Sequence, residues 1–125
     1  MILGIDIGGT TVKFGIVSDK GEILETERHD TLEHSKSPED FIKLLISVCT
    51  KYTNKHDGLK GIGIGIPGQL SLDRQTLVQA NNLESLNGTD VVPQLKKAFP
   101  YLVVRMENDA NCTALGEMYF GGHDK

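Results

Sequence analysis

Tryptophan is absent from this sequence, and cysteine occurs twice, at Cys49 and Cys112, far apart and never as CxxC. That excludes a disulfide-stapled scaffold and a cysteine-built zinc site, and leaves two reduced, partly buried thiols as the expectation. His29, His34, His56 and His123 show no metal-ligand spacing and are expected to be surface or structural histidines. Positive charge is not in excess: 13 Lys and Arg face 17 Asp and Glu, a net charge of −4. A nucleic-acid-binding surface gains no support from that balance. There is no apolar run long enough to span a bilayer. Nor is there a basic segment followed by a signal-type apolar stretch, so the cytoplasm is the expected location. Without a secretory signal, Asn87-Gly-Thr89 and Asn111-Cys-Thr113 carry no meaning as glycosylation acceptors. What is present, 38% hydrophobic and 24% charged residues in a chain of 125, is the composition of one soluble globular domain with a core of its own.

Residues 2–7, 12–18 and 22–29 read as three consecutive strands, the second and third joined by the hairpin-type turn Ser18-Asp-Lys-Gly21. A polar stretch from Asp30 to Ser37 follows. Ser37-Pro38-Glu39-Asp40 predicts a helix start, with Ser as N-cap, Pro at the first position and acids in the first turn. Phe41, Leu44, Leu45 and Val48 continue at helical spacing toward Tyr52, and Asn54 to Gly58 end the helix. Leu59 to Ile66 predicts a fourth strand, in which Gly61, Gly63 and Gly65 alternate with Ile62, Ile64 and Ile66. One face is then bare backbone, which something must approach closely. A loop runs through Asn81-Asn82, a short helix from Thr89-Asp90 to Ala98, and a fifth strand from Tyr101 to Met106. Asn108 or Asp109 caps a last helix through Tyr119, ended by Gly121-Gly122. The order βββαβ-loop-αβα predicts an α/β fold with a mixed five-stranded sheet and helices on both faces. In it strands one to three form a meander and strands three to five run parallel.

Three segments carry chemistry. Asp6-Ile-Gly-Gly-Thr-Thr-Val-Lys13 places a carboxylate at the end of a strand, then a glycine turn with two hydroxyls, then a lysine. Glycines admit a close ligand, successive N–H groups and hydroxyls hold a phosphate, and a neighbouring acid holds Mg²⁺, usually through water. An ordinary hairpin turn with a solvated Asp does not account for Asp6, two threonines and Lys13 together. Gly63-Ile-Gly-Ile-Pro-Gly68 fits a dinucleotide fingerprint in spelling, but that requires a helix opening there, and Pro67 with Leu70-Ser-Leu-Asp73 offers none. The Pro-Gly corner instead exposes backbone at the carboxyl end of a parallel strand, where open α/β sheets bind ligands. Glu107-Asn-Asp-Ala-Asn111 follows the fifth strand and opens a helix; Asn108 or Asp109 would serve as N-cap whatever the function. Asp6, Gly68 and Asp109 are expected on one rim, and a phosphate turn opposite a second carboxylate suits phosphoryl transfer.

Asp6 to Gly15, Gly63 to Gly68, Asn82-Leu83 and Glu107 to Glu117, four motifs in order over nearly the whole chain, resemble the N-terminal domain of the ROK family (repressor, open reading frame, kinase), and its bacterial glucokinases most of all. The resemblance implies a ribonuclease H-like, actin-like ATPase fold. It implies that Gly8, Gly9, Thr10 and Thr11 cradle the phosphates of ATP with Lys13 nearby, and that Asp6 lies near Mg²⁺. Gly68, Asn82, Asn108 and Asp109 would line the sugar pocket, with Asp109 the general base on the sugar hydroxyl. Asn81 stands where the family often has Pro, and Thr11 where many members have Lys or Asn.

Residues 1–120 are thus expected to be the N-terminal lobe of a sugar kinase, and 121–125 the start of the connection to a C-terminal lobe that this chain lacks. Family kinases are expected at about twice this length. The second phosphate segment, the adenosine site, the Glu-x-x-Gly-His sugar motif and the cysteine-rich zinc site all belong to that lobe, so any structural Zn²⁺ does too. The expected reaction is transfer of the γ-phosphoryl group of MgATP to the 6-hydroxyl of glucose, with N-acetylmannosamine, N-acetylglucosamine, allose or fructose as alternative sugars. A fragment alone is expected to be inactive, because closure of two lobes completes such a site. Expected partners are the hexose and ATP, without nucleic acid or membrane. Apolar surface belonging against the absent lobe favours a homo-oligomer, a dimer foremost. Rival readings are a sugar-responsive transcriptional regulator, for which Asp6 lies too near the N-terminus to leave room for a helix-turn-helix, and a non-catalytic sugar-binding module.

Overall fold

Leu3, Ile5 and Ile7 alternate with Gly4 and Asp6, so a strand built from them has one bulky face and one small or polar face. The computed structural model describes residues 1–66, 68–80 and 83–107. It contains β1 (Ile2–Ile7), β2 (Thr11–Val17), β3 (Ile23–Asp30), α1 (Thr31–His34), α2 (Pro38–Lys55), β4 (Gly61–Gly65), β5 (Gly68–Leu70) and β6 (Leu77–Ala80). A 3₁₀ turn at Glu84–Leu86, α3 (Val91–Ala98) and β7 (Val103–Glu107) follow. Five strands form one sheet in the order β3-β2-β1-β4-β7. The β1–β2 and β2–β3 pairs are antiparallel, while β1–β4 and β4–β7 are parallel. The meander of three strands and the common direction of β3, β4 and β7 are therefore as the sequence predicts.

Register aligns the bulky residues. Leu3 faces Ile16 and Ile62, Ile5 faces Phe14 and Ile64, and Ile64 faces Met106. Cross-strand partners share a face, so these side chains make one apolar surface, and all of them are buried. Helices α2 and α3 contact each other and complete the core with Phe41, Leu45, Val48, Val92 and Leu95. The opposite face carries Gly4, Gly15, Gly63 and Gly65. Gly61, Gly63 and Gly65 are all buried, and a Cβ on Gly61 would lie 2.8 Å from the Val103 carbonyl oxygen. The last predicted helix, from Asn108 or Asp109 to Tyr119, lies outside the described residues, and with it the expectation of a helix on the second face.

Helix α2 begins as its sequence dictates: the Ser37 hydroxyl accepts the Asp40 N–H at 3.1 Å and Pro38 occupies the first turn. It runs to Lys55, and its last turns lie over β3. There the core stripe becomes polar. Glu27 accepts from Lys51 and from the Tyr52 hydroxyl at 2.9 Å, and its other oxygen meets His29 Nε2 at 2.6 Å. Glu25 is bonded by Lys55 and His56, each at 2.8 Å. Burial alone would raise the Glu27 carboxyl, but Lys51, His29 and Tyr52 outweigh it and bring it down to about 2. Its ordinary value is 4.5, so its stabilising effect is complete above that pH and is lost as pH falls from 4.5 through about 2. Glu27→Gln is expected to unfold more easily than the parent chain at pH 7, with the difference shrinking below pH 4.5 and vanishing only below about pH 2. Urea midpoints measured across that window check this, and a constant difference would refute it. Burial pushes the Cys49 thiol up to about 12, so it packs as a small apolar group.

Several elements depart from expectation. Within the polar stretch after Asp30 lies α1, a single helical turn. The predicted loop between Gly68 and Asn82 contains the β5–β6 hairpin and leads to a 3₁₀ turn. Periodicity cannot report pieces this short. The last described strand is shifted, to Val103–Glu107. Among the described residues, large apolar side chains are exposed in three places: Ile23 and Leu24 on β3, Leu72 and Val78 on the hairpin, and Tyr101 and Val103 before and at the start of β7. No helix among the described residues is long and apolar enough to cross a membrane.

Candidate functional site

The ends of β1, β4 and β7 lie on one side of the sheet because these strands are parallel. At the end of β1 the chain reverses through Gly8-Gly9-Thr10-Thr11. The Ile7–Val12 pair closes the ladder, and the Gly8 N–H donates to the Thr11 carbonyl at 3.0 Å. Gly8 is favoured by space rather than by a left-handed backbone: a Cβ there would lie 3.1 Å from the Thr11 carbonyl oxygen, a contact tight enough that the turn would have to give by a few tenths of an ångström. The turn is also held from outside. The buried Thr31 hydroxyl donates to the Gly8 carbonyl at 2.9 Å, and the Thr31 N–H donates to the Thr10 carbonyl at 3.0 Å.

Asp6 stands opposite Lys13 on one side and Gly65 on the other; Lys13 stands opposite Arg28, and Gly65 opposite Glu107. One row thus crosses the glycine face just below the turn, running Arg28, Lys13, Asp6, Gly65, Glu107. Both carboxylates, at Asp6 and Glu107, are partly exposed, while Lys13 and Arg28 are exposed. Glycine in the middle of the row puts no side chain of its own between the two acids. A narrow turn that a Cβ would crowd, beside a partly exposed carboxylate and a cation, fits a phosphate group with a hydrated divalent ion. Among the described residues no cluster of three or more His, Cys, Asp or Glu forms a protein-only metal site.

Beyond β4, the Ile66 N–H donates to the Glu107 carbonyl at 3.0 Å, so the two chains leave the sheet side by side. Gly68 opens β5 and pairs with Ala80 of β6, at the base of the hairpin rather than in an open loop. At the hairpin tip Ser71 accepts from the Thr76 N–H at 3.1 Å, and Arg74 takes a left-handed φ of 57°. That conformation costs a non-glycine residue about 1–2 kcal/mol, and from it the Arg74 guanidinium reaches back to pair with Glu107.

Of the residues singled out from sequence, Asp6, Gly8, Gly9, Thr10, Thr11 and Lys13 are together at the end of β1, with Gly68 on the segment leaving β4. Asn82, Asn108 and Asp109 lie outside the described residues. Sequence reasoning missed Thr31, Arg28 and Arg74, and assigned Glu107 no role of its own. Thr31 and Arg74 act over long sequence distances without any motif. Arg28 and Glu107 were legible only once the register of five strands was known.

The ROK family profile matches residues 2–125. The chain is 35% identical to an N-acetyl-D-glucosamine kinase of Vibrio parahaemolyticus over 95% of its own length and 38% of that protein. It is 33% identical to a glucokinase of Thermotoga maritima over 98% of its length and 39% of the relative. A ROK family glucokinase from Streptomyces griseus, solved in complex with glucose and AMPPNP, superposes with a TM-score of 0.77 at 28% identity, covering 96% of this chain and 36% of that one. The chain therefore spans about two fifths of the length of the curated relatives it matches, less than the half expected from sequence. With that profile, those relatives and a five-stranded mixed sheet of actin-like ATPase type, this chain belongs to the ROK family.

Proposed function

We propose that this chain is the N-terminal lobe of an ATP-dependent hexose kinase, glucokinase foremost, with residues 1–120 forming the lobe and 121–125 opening the connection to a second one. The observation that carries the reading is the meeting, at one sheet rim, of a tight Gly8–Thr11 turn flanked by Asp6 and Lys13 with the diverging ends of β4 and β7. Backbone N–H groups and hydroxyls of the turn would hold phosphate oxygens, with Lys13 offsetting their charge. Bound MgATP supplies the phosphoryl group and the metal's charge. Asp6 would orient the hydrated ion. Gly68, Asn82 and Asn108 would hold the sugar, and Asp109, two residues beyond Glu107, would accept the proton of the attacking hydroxyl. The relatives' names divide between glucose and N-acetylglucosamine, so the sugar is the finer part of the proposal.

The test is a coupled assay of ADP release by the full-length protein with glucose, N-acetylglucosamine, N-acetylmannosamine, allose and fructose. Glucose is expected to give the highest kcat/KM. A higher value for N-acetylglucosamine would overturn the glucokinase assignment alone, and no turnover with any hexose would overturn the kinase reading. The 125-residue chain by itself is expected to show no turnover, because one lobe cannot exclude water from the site.

A further inference from the structure

We propose that α1 is a strut joining the phosphate turn to the sugar-side segment, with Thr31 and Ser85 as positioning residues at its two ends. The inference rests on the kinase reading of those two segments.

A helix of one turn has no stability of its own, so α1 exists through its tethers. At its start, Asp30 accepts the Glu33 N–H at 3.2 Å, and Thr31 makes both of its bonds to the Gly8–Thr11 turn. A wholly buried hydroxyl is costly unless bonded. This one, with no exposed surface, is spent on the Gly8 carbonyl 23 positions away. With the Gly8 and Thr10 carbonyls both held, the Gly8–Gly9 and Thr10–Thr11 peptide planes that flank the centre of the turn are fixed, and with them the direction in which the turn would offer its N–H groups to a phosphate.

At its other end α1 runs into Ser35, which is buried, and the Ser35 carbonyl accepts the Ser85 hydroxyl at 2.6 Å. Ser85 lies in the 3₁₀ turn Glu84–Leu86, pinned to the core by Leu83 and Leu86. That turn begins two residues after Asn82. A single short element, packed on α2 and β2, thus touches the nucleotide turn with one end and the chain just beyond the sugar asparagine with the other. Thr31 and Ser85 each bond a backbone carbonyl, and each would act through the backbone it holds.

The experiment uses the full-length protein and steady-state kinetics with both substrates varied. Thr31→Val keeps the shape and removes the hydroxyl. It is expected to raise the KM for ATP about ten-fold, the worth of one buried hydrogen bond, with a smaller effect on the KM for the sugar. Thr31→Ser restores the bond and is expected to return the KM for ATP to within about two-fold of the parent. Ser85→Ala, at an exposed position that does not endanger folding, is expected to reverse the pattern and raise the KM for the sugar about three-fold or more. The strut is overturned if Thr31→Val and Thr31→Ser behave alike, or if Ser85→Ala changes neither KM. Lys13→Ala separates the two levels. If it raises the KM for ATP while Thr31→Val does not, the strut fails and the kinase reading stands. If Lys13→Ala leaves that KM unchanged, the nucleotide reading fails and takes the strut with it.

Discussion

Asp109→Asn in the full-length protein is expected to lower kcat by about 10²–10⁴ while leaving the far-ultraviolet circular dichroism and the thermal midpoint in place. The substitution keeps size and hydrogen-bonding capacity but removes the ability to accept a proton. A general base contributes to the transition state rather than to ground-state binding, so the KM values for ATP and sugar are expected to move far less than kcat. Near-parental turnover would remove Asp109 from the mechanism. A rise in KM with kcat preserved would make it a sugar-binding group only. The contrast with Thr31→Val is useful, since that change is expected to appear in the KM for ATP and this one in kcat.

Phe14→Ala is expected to destabilise the fold by about 3–5 kcal/mol. Phe14 has no exposed surface, stands opposite Ile5 and Glu27 in neighbouring strands, and meets the His29 ring edge-on at 5.7 Å between centroids. Its position in β2 leaves little room for relaxation, because backbone pairing on both sides fixes the strand. The cavity would open in the core on the face of β2 opposite Lys13, a few residues from the Gly8–Thr11 turn, so any nucleotide affinity of that turn is expected to fall together with stability. Since domains hold only about 5–15 kcal/mol in total, urea unfolding should show a large shift of the midpoint. Phe14→Leu, which keeps most of the volume, is expected to lose less than about 1.5 kcal/mol. A loss below about 1 kcal/mol for the alanine variant would show that the core there can close over the gap.

Much of the architecture is legible in the chain because it is written in short-range patterns. Alternation in β1 and β2, the glycine–isoleucine alternation of β4, and the Ser37-Pro38 start of α2 each report an element from a few neighbouring residues. The turn that would hold a phosphate is legible for the same reason, since its glycines, hydroxyls, acid and lysine fall within eight consecutive positions. The β5–β6 hairpin is not legible. Its strands are short and carry Gln69, Val78 and Gln79 in exposed positions, so no hydrophobic period marks them. The polar stretch after Asp30 hides α1 because a helix of one turn has no period to read.

The sequence by itself determined the strand count of the main sheet, the direction of its strands, the family and the turn that would hold a phosphate, because each depends on local spacing or on motifs that local spacing preserves. Only the tertiary structure decided which charges share a row across five strands, which carbonyls the Thr31 hydroxyl and N–H secure, and that Arg74 reaches Glu107 from the far side of a hairpin. The physical reason is the same in each case. A cross-strand partner or a buried hydrogen bond is set by register and packing between segments tens of residues apart, and a hydroxyl or a guanidinium carries no mark in the sequence of the backbone it will find.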